Sequence, residues 1–310
     1  MDDLLRFLLR ERPALAAAGD TPAFWASTRD IRARFVLPYD RAAAGGRVAD
    51  RLGYAFASGY EAALHALVPS LPADAVAGFS VTEERGAHPR AVEARLEPAA
   101  RGRRLTGKKR WGTMAPLADV LVVVAREGEG EEGRPVLRAV RVPRDAHGLT
   151  VTEMSQTAFV PEVPHAELVF DAVEVDESAV LPGDGYADYV KPFRTVEDLH
   201  VNAGVLGYLL SVAIRNGWSD AAISRATAVL ASGRTLAALD PRKAETHVAL
   251  AGFLDDTRAV VEETEPSWSL VGDSERERWY RDRVLTQVAS KARQQRRERA
   301  FADLHGDPSK

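Results

Sequence analysis

The chain has 310 residues, 45% of them hydrophobic and 28% charged, the balance of an ordinary globular protein with room for two or three domains. Its formal net charge of −4 gives no global pull towards nucleic acid or an anionic membrane surface. Cysteine is absent, which excludes disulfides, thiolate metal sites, iron–sulfur ligation and cysteine nucleophiles together. The start, Met1-Asp2-Asp3, is acidic where a secretory leader is basic. The longest apolar run, Val120–Ala125, is far too short to span a bilayer. A cytoplasmic protein with no membrane span is the expectation.

Three stretches differ in hydrophobic period. Over residues 1–74 the period is helical: Val48, Leu52, Ala55, Phe56, Gly59, Tyr60, Ala63, Leu64 and Leu67 recur on one face, and Pro69 and Pro72 end the helix. Over 75–184 the period is two. Val92, Ala94 and Leu96 alternate with Glu93, Arg95 and Glu97, as in a half-buried strand. Val120–Val124 is wholly apolar, and Val136–Val142 and Glu167–Val175 alternate again. Leu105-Thr106-Gly107-Lys108 reads as a hairpin corner, and Gly128–Gly133 as an exposed loop. No helix-length pattern separates these strands, which predicts an antiparallel barrel or sandwich. From Thr195 the helical period returns. Leu199, Leu206, Leu209, Leu210 and Ala213 open one helix, and Ile223–Leu239, Thr246–Val261 and Ser274–Leu304 suggest three more, a four-helix bundle. Roughly the last eight residues are expected to fray.

Helix, strands, helix is an uncommon order, and the middle of the chain carries specific segments. Phe79-Ser80-Val81-Thr82-Glu83 is followed by Leu105-Thr106-Gly107-Lys108-Lys109-Arg110-Trp111-Gly112-Thr113, then Ala118-Asp119-Val120. Val169-Phe170-Asp171-Ala172-Val173-Glu174-Val175 and Leu181-Pro182-Gly183-Asp184-Gly185 come next, then Glu197-Asp198-Leu199 and Ala203-Gly204-Val205-Leu206-Gly207. In this order and spacing the chain resembles a shortened, divergent acyl-CoA dehydrogenase. The resemblance implies a helical domain (1–74), a middle β-barrel (75–184) and a C-terminal helical bundle (185–310), with FAD lying between barrel and bundle. It also implies an acyl-CoA or related thioester as substrate, a role in fatty-acid metabolism, and a homodimer or homotetramer that binds no nucleic acid.

The family's reaction removes a proton α to a thioester carbonyl while a hydride leaves the β carbon for the flavin. That chemistry needs hydrogen bonds to an enolate in a dry pocket and a carboxylate base whose pKa is raised by burial. By resemblance Thr82, Trp111 and Thr113 lie beside the flavin; strand propensity and core packing are the plainer reasons for these residue types. Most of the family carries its base in a C-terminal Glu-Gly-Thr loop, which this chain lacks. A minority place it at the opening of the first bundle helix, the position of Glu197. Thr195-Val196-Glu197-Asp198 also reads as an N-cap followed by first-turn acids, which the helix dipole favours without catalysis. His200 lies one turn on, as a tuning or packing residue.

Three departures stand beside the resemblance. After Thr82-Glu83 the family continues Ala-Gly-Ser-Asp, whereas this chain has Glu84-Arg85-Gly86-Ala87-His88-Pro89; Arg85 and Arg90 are the cations there that offer a phosphate grip. The Arg-x-x-Phe-Gly and Gly-Gly-x-Gly stretches of the family's bundle are missing, and Tyr280-Arg281-Asp282 only superficially matches a later family segment. The last helix is Arg-rich (Arg281, Arg283, Lys291, Arg293, Arg296, Arg297, Arg299) with interspersed acids, a pattern for a solvated or interface face. Dinucleotide, P-loop, zinc-protease and serine-hydrolase motifs are absent, and the seven His lack metal spacing. A non-catalytic binding or scaffold relative is the alternative to the dehydrogenase, and a flavin monooxygenase on the same fold a further one.

Overall fold

A computed structural model describes residues 1–16 and 19–306; residues 307–310, part of the stretch expected to fray, lie outside them. The chain divides into two compact units. One gathers residues 1–66, 157–162 and 194–310, and the other residues 67–156 and 163–193. The two helical stretches at either end of the sequence thus build one unit.

In the helical unit, α1 (Asp2–Leu9), α2 (Thr21–Ser27), α3 (Arg29–Arg34), α4 (Pro38–Val48) and α5 (Leu52–Leu67) come first. Val48, grouped by its spacing with the α5 face, instead ends α4, because Ala49 is extended (ψ 136°). After α6 (Lys191–Arg215) come α7 (Asp220–Leu236), α8 (Ala244–Glu263), α9 (Asp273–Asp282) and α10 (Ser290–Leu304). The single final helix expected over Ser274–Leu304 is therefore broken. A 3₁₀ turn over Arg283–Gln287 and a left-handed Ala289 (φ 63°) separate α9 from α10. Among the described residues no helix is long and apolar enough to cross a membrane.

Small residues let α4, α5 and α6 approach backbone to backbone. A Cβ on Gly207 would stand 2.1 Å from the Ala43 carbonyl, and one on Gly46 2.0 Å from the Gly204 carbonyl. The buried Ala42–Gly46 run and the Gly204 and Gly207 positions are thus dictated by contact distance rather than by turns. Trp268 and Trp279 stack at 4.5 Å and meet Trp218 and Tyr208, an aromatic seam between α6, α9 and the segment preceding α9.

The other unit is a seven-stranded sheet, β1 (Ala77–Ser80), β2 (Arg95–Pro98), β3 (Arg103–Thr113), β4 (Val120–Glu129), β5 (Pro135–Pro143), β6 (Leu149–Glu153) and β7 (His165–Val175). Its order is β1-β4-β2-β3-β7-β6, with β5 on the remaining edge of β4. The expected antiparallel barrel needs correcting here. β1 and β2 both run parallel to β4, and among the described residues β5 and β6 do not pair with each other, so the sheet is mixed and curls without closing. Period-two patterning fixes which face is inward but carries no information on strand direction. The inward face is packed by Leu96, Leu105, Leu121, Val123, Val140, Leu168 and Phe170.

Leu105–Lys108 is not a hairpin corner but the interior of β3. The turn lies earlier, where Ala99 donates to the Gly102 carbonyl and Gly102 has φ 78°. Gly107 is needed for a different reason: at φ 145° it lies against the Ala94 backbone, where a Cβ would come within 2.6 Å.

Candidate functional site

The β unit brings Thr82, Trp111 and Thr113 into one neighbourhood. Thr82 is half-buried, just past the end of β1, and its carbonyl accepts from the Arg110 backbone N–H at 2.8 Å. Thr113 is the last residue of β3 and the cross-strand partner of His165. Between them lies a β-bulge: Lys109 pairs with Leu168 and Gly112 with Ala166, so β3 has one residue more than β7 over this span. Trp111 is in the bulge at φ 56°, a left-handed conformation that costs a bulky L residue roughly 1–2 kcal/mol. The extra residue reverses the alternation. Lys109 points inward and Trp111, two residues on, points out with 51% of its surface exposed. Its ring meets the His165 ring edge-on at 5.8 Å. The core role that a strand tryptophan suggests is therefore not the role of Trp111. His165 is held below its ordinary pKa, chiefly by burial.

Beneath this patch is a cluster that the sequence did not mark as functional. The Lys109 side chain is fully buried, and its Nζ donates to a Glu83 carboxylate oxygen at 2.6 Å and to the Val81 carbonyl at 3.2 Å. Burial depresses the Lys109 pKa, and Glu83 opposes that shift. Glu83 also accepts from the backbone N–H groups of Glu93 (2.8 Å) and Ala94 (3.1 Å). One visible signal was available: a lysine at an inward position of an alternating strand requires a buried partner. The Ser80 hydroxyl is buried with no hydrogen-bond partner, close to Gly112. The loop that departs from Ala-Gly-Ser-Asp closes as a tight turn in which Glu83 and Gly86 exchange both backbone hydrogen bonds. Arg85 and Arg90 are exposed. A cavity of about 780 Å³ opens in the same unit, lined in part by Arg104, Asp119, Arg141, His147, Glu174 and Asp176; Thr82, Trp111 and Thr113 do not line it.

In the helical unit Glu197 lies inside α6, not at its start. The capping reading of Thr195–Asp198 needs correcting: the residue that caps is Asp184, whose carboxylate accepts from the N–H groups of Tyr186 and Ala187. A wide-turn π segment over Gly185–Val190 then runs directly into α6. The helix begins earlier than its apolar period shows, which puts Glu197 beyond the turn in which a dipole favours acids. None of the described residues hydrogen-bonds the half-buried Glu197 carboxyl. Desolvation, then the Asp198 charge, push its pKa up to about 7, against Arg194 and Arg293.

Its neighbours have other tasks. Asp198 is held by Arg293 (2.8 Å) and Arg296 of α10. His200 is buried, with Nδ1 2.8 Å from the Val196 carbonyl, so that nitrogen carries the proton. Burial lowers its pKa to about 4, which keeps the ring neutral. The Arg-rich stretch is not simply a solvated face either. Besides the pair on Asp198, Arg297 binds Asp255 and Arg281 binds Asp282. Asp282 is fully buried and accepts from the Val160 N–H at 2.7 Å. Among the described residues no group of acids and histidines is placed to hold a metal ion.

Residues 78–173 match the family of acyl-CoA dehydrogenase middle domains. The whole fold is similar to that of solved flavoproteins. A structure titled PigA with FAD and proline aligns with a TM-score of 0.68 at 15% identity, over 99% of this chain and 96% of that one. FMN-bound TdsC from Paenibacillus sp. A11-2 aligns with a TM-score of 0.69 at 15% identity, over 97% and 94%. Butyryl-CoA dehydrogenase from Megasphaera elsdenii aligns with a TM-score of 0.63 at 15% identity, over 92% and 83%.

Proposed function

We propose, from the match of residues 78–173 to acyl-CoA dehydrogenase middle domains and from a fold similar to that of solved flavoproteins, that the chain is an FAD-dependent oxidoreductase that desaturates an acyl thioester between the α and β carbons. The observation that carries this reading is the Glu197 carboxyl. A general base is most effective when its pKa lies near the working pH, and a crowded carboxyl without donors, raised to about 7, meets that condition. With the capping role taken by Asp184, Glu197 is not a helix-start acid, and Arg194 and Arg293 are the charges that favour its ionised form.

The residues of the β unit fit the ring of a flavin. Trp111 offers an exposed aromatic edge, Thr82 and Thr113 offer hydroxyls, and the Ser80 hydroxyl is without a partner nearby. No residue is assigned to the cofactor's pyrophosphate, since the stretches that meet it in the family are missing. Bound FAD would supply the hydride acceptor. Glu197 takes the α proton onto a carboxylate oxygen, and its protonated form prevails below about pH 7. Neutral His200 adds no positive charge that would hold Glu197 ionised. An assembly of two or four copies, a cytoplasmic site and a place in fatty-acid metabolism belong to the same reading through the family resemblance.

The test is the visible spectrum of the purified protein, followed by reconstitution with FAD and dye-linked assay on a panel of acyl-CoA thioesters. Flavin bands and dye reduction that Glu197→Gln abolishes support the enzyme. A colourless protein that takes up no FAD supports a scaffold relative instead.

A further inference from the structure

We infer that the buried Lys109–Glu83 ion pair is a register pin that holds Trp111 out of the sheet, making Lys109 and Glu83 positioning residues for the flavin face. The inference rests on the flavin reading for its ligand but on geometry for its mechanism.

β3 alternates Leu105 inward, Thr106 outward, and after Gly107 and Lys108 it brings Lys109 inward. Every other well-buried inward position of this stretch is apolar or glycine, so a buried ammonium there is tolerated only with its partner in place. That partner cannot move. Glu83 is fixed by two backbone N–H groups from Glu93 and Ala94 and by the reciprocal backbone bonds with Gly86. Lys109 Nζ therefore has one place to go, and β3 has one register at Lys109. The next register shift follows at once, between Lys109 and Gly112. Without that shift strict alternation would return residue 111 to the interior, because a single-residue slip exchanges the two faces of a strand. With Lys109 pinned on one side and Gly112 paired to Ala166 on the other, the surplus residue has to be accommodated at Arg110–Trp111. Trp111 takes the left-handed conformation and its indole stays exposed. Thr82, one residue from Glu83, is tied to the same point through Arg110.

The experiment uses the full chain. Trp111 is the exposed tryptophan; Trp218, Trp268 and Trp279 are buried and Trp25 partly so. The emission lost in Trp111→Phe therefore defines its signal, and acrylamide quenching of that signal measures its exposure without any cofactor. FAD affinity is measured separately by titration. Lys109→Met is the direct variant. Lys109→Met/Glu83→Gln removes both charges while Gln retains an oxygen for the Glu93 and Ala94 N–H groups, so it keeps the test alive if the single variant does not fold. The expected result for the double variant is retained helical and sheet circular dichroism, a several-fold fall in quenching of the Trp111 signal and at least a tenfold loss of FAD affinity. A folded double variant with wild-type quenching and wild-type FAD affinity overturns the inference. So does a double variant that loses its fold altogether, since the pair would then hold the core and not the bulge. If the wild type binds no FAD yet the quenching falls, the flavin reading fails and the register pin stands.

Discussion

Two glutamates compared show how the same side chain is set to opposite uses. Glu83, in the sheet unit, is surrounded by donors: two backbone N–H groups and a buried lysine occupy its oxygens. Glu197, in the helical unit, is crowded yet meets no donor, and the largest charge effect on it is the like charge of Asp198. A carboxylate with donors on both oxygens is a structural joint. One denied solvent and given no donor has affinity for a proton, and that is what a base needs. Burial by itself does not separate the cases; the count of donors does.

The sharpest way to break this contrast is to neutralise each carboxyl in turn. Glu197→Gln is expected to lower dye-linked turnover on an acyl-CoA about 10²–10⁴-fold while leaving the thermal midpoint at pH 8 unchanged or higher. A variant that keeps its activity removes Glu197 from the reaction. Glu83→Ala should act first on stability. It leaves the Lys109 ammonium buried and unpaired, at a cost of about 3–5 kcal/mol, read as a fall in the denaturation midpoint. A loss within about 0.5 kcal/mol, the scale of an ordinary surface change, would show that water reaches Lys109.

pH dependence sharpens the comparison further. The folded pKa of Glu197 is raised from 4.5 to about 7, so the stability linked to its protonated form is full below about pH 4.5 and is lost as pH rises to about 7. The loss is on the order of 2 kcal/mol, reduced from the fully buried limit because the residue keeps part of its surface in contact with solvent. Glu197→Gln should flatten that part of the stability–pH profile. His200 runs the other way. Its folded pKa is lowered from 6.5 to about 4, so stability present above about pH 6.5 is lost as pH falls towards 4, and His200→Gln should remove that acid limb. The smallest effect is expected at Trp111→Asn. Asparagine accepts the left-handed bulge position, so stability should change by no more than about 0.5 kcal/mol while FAD titration weakens. A large stability loss there would return Trp111 to the core.

Much of this was legible in one dimension. The switch of period from helical to alternating and back located the sheet unit, and the family resemblance picked out Thr82, Trp111 and Thr113 as a group. Where structure and sequence pattern differ, the cause is shared. A sequence shows that glycine is needed at Gly107, not whether a turn or a close backbone approach needs it. The pattern of Thr195–Asp198 resembles a helix start because the π segment ahead of α6 hides the true start in a different period.

The sequence by itself determined where the chain turns from helix to strand and back, and which residues face inward along its clearest elements, since amphipathic period is a local property. Only the tertiary structure decided that Lys109 is buried against Glu83, that β1 and β2 run parallel to β4, that the helices at the two ends of the chain form one unit, and that a single surplus residue turns Trp111 outward. Each of these depends on which distant segment supplies the hydrogen bonds. That choice is made by pairing and packing over the whole chain, which no local pattern encodes.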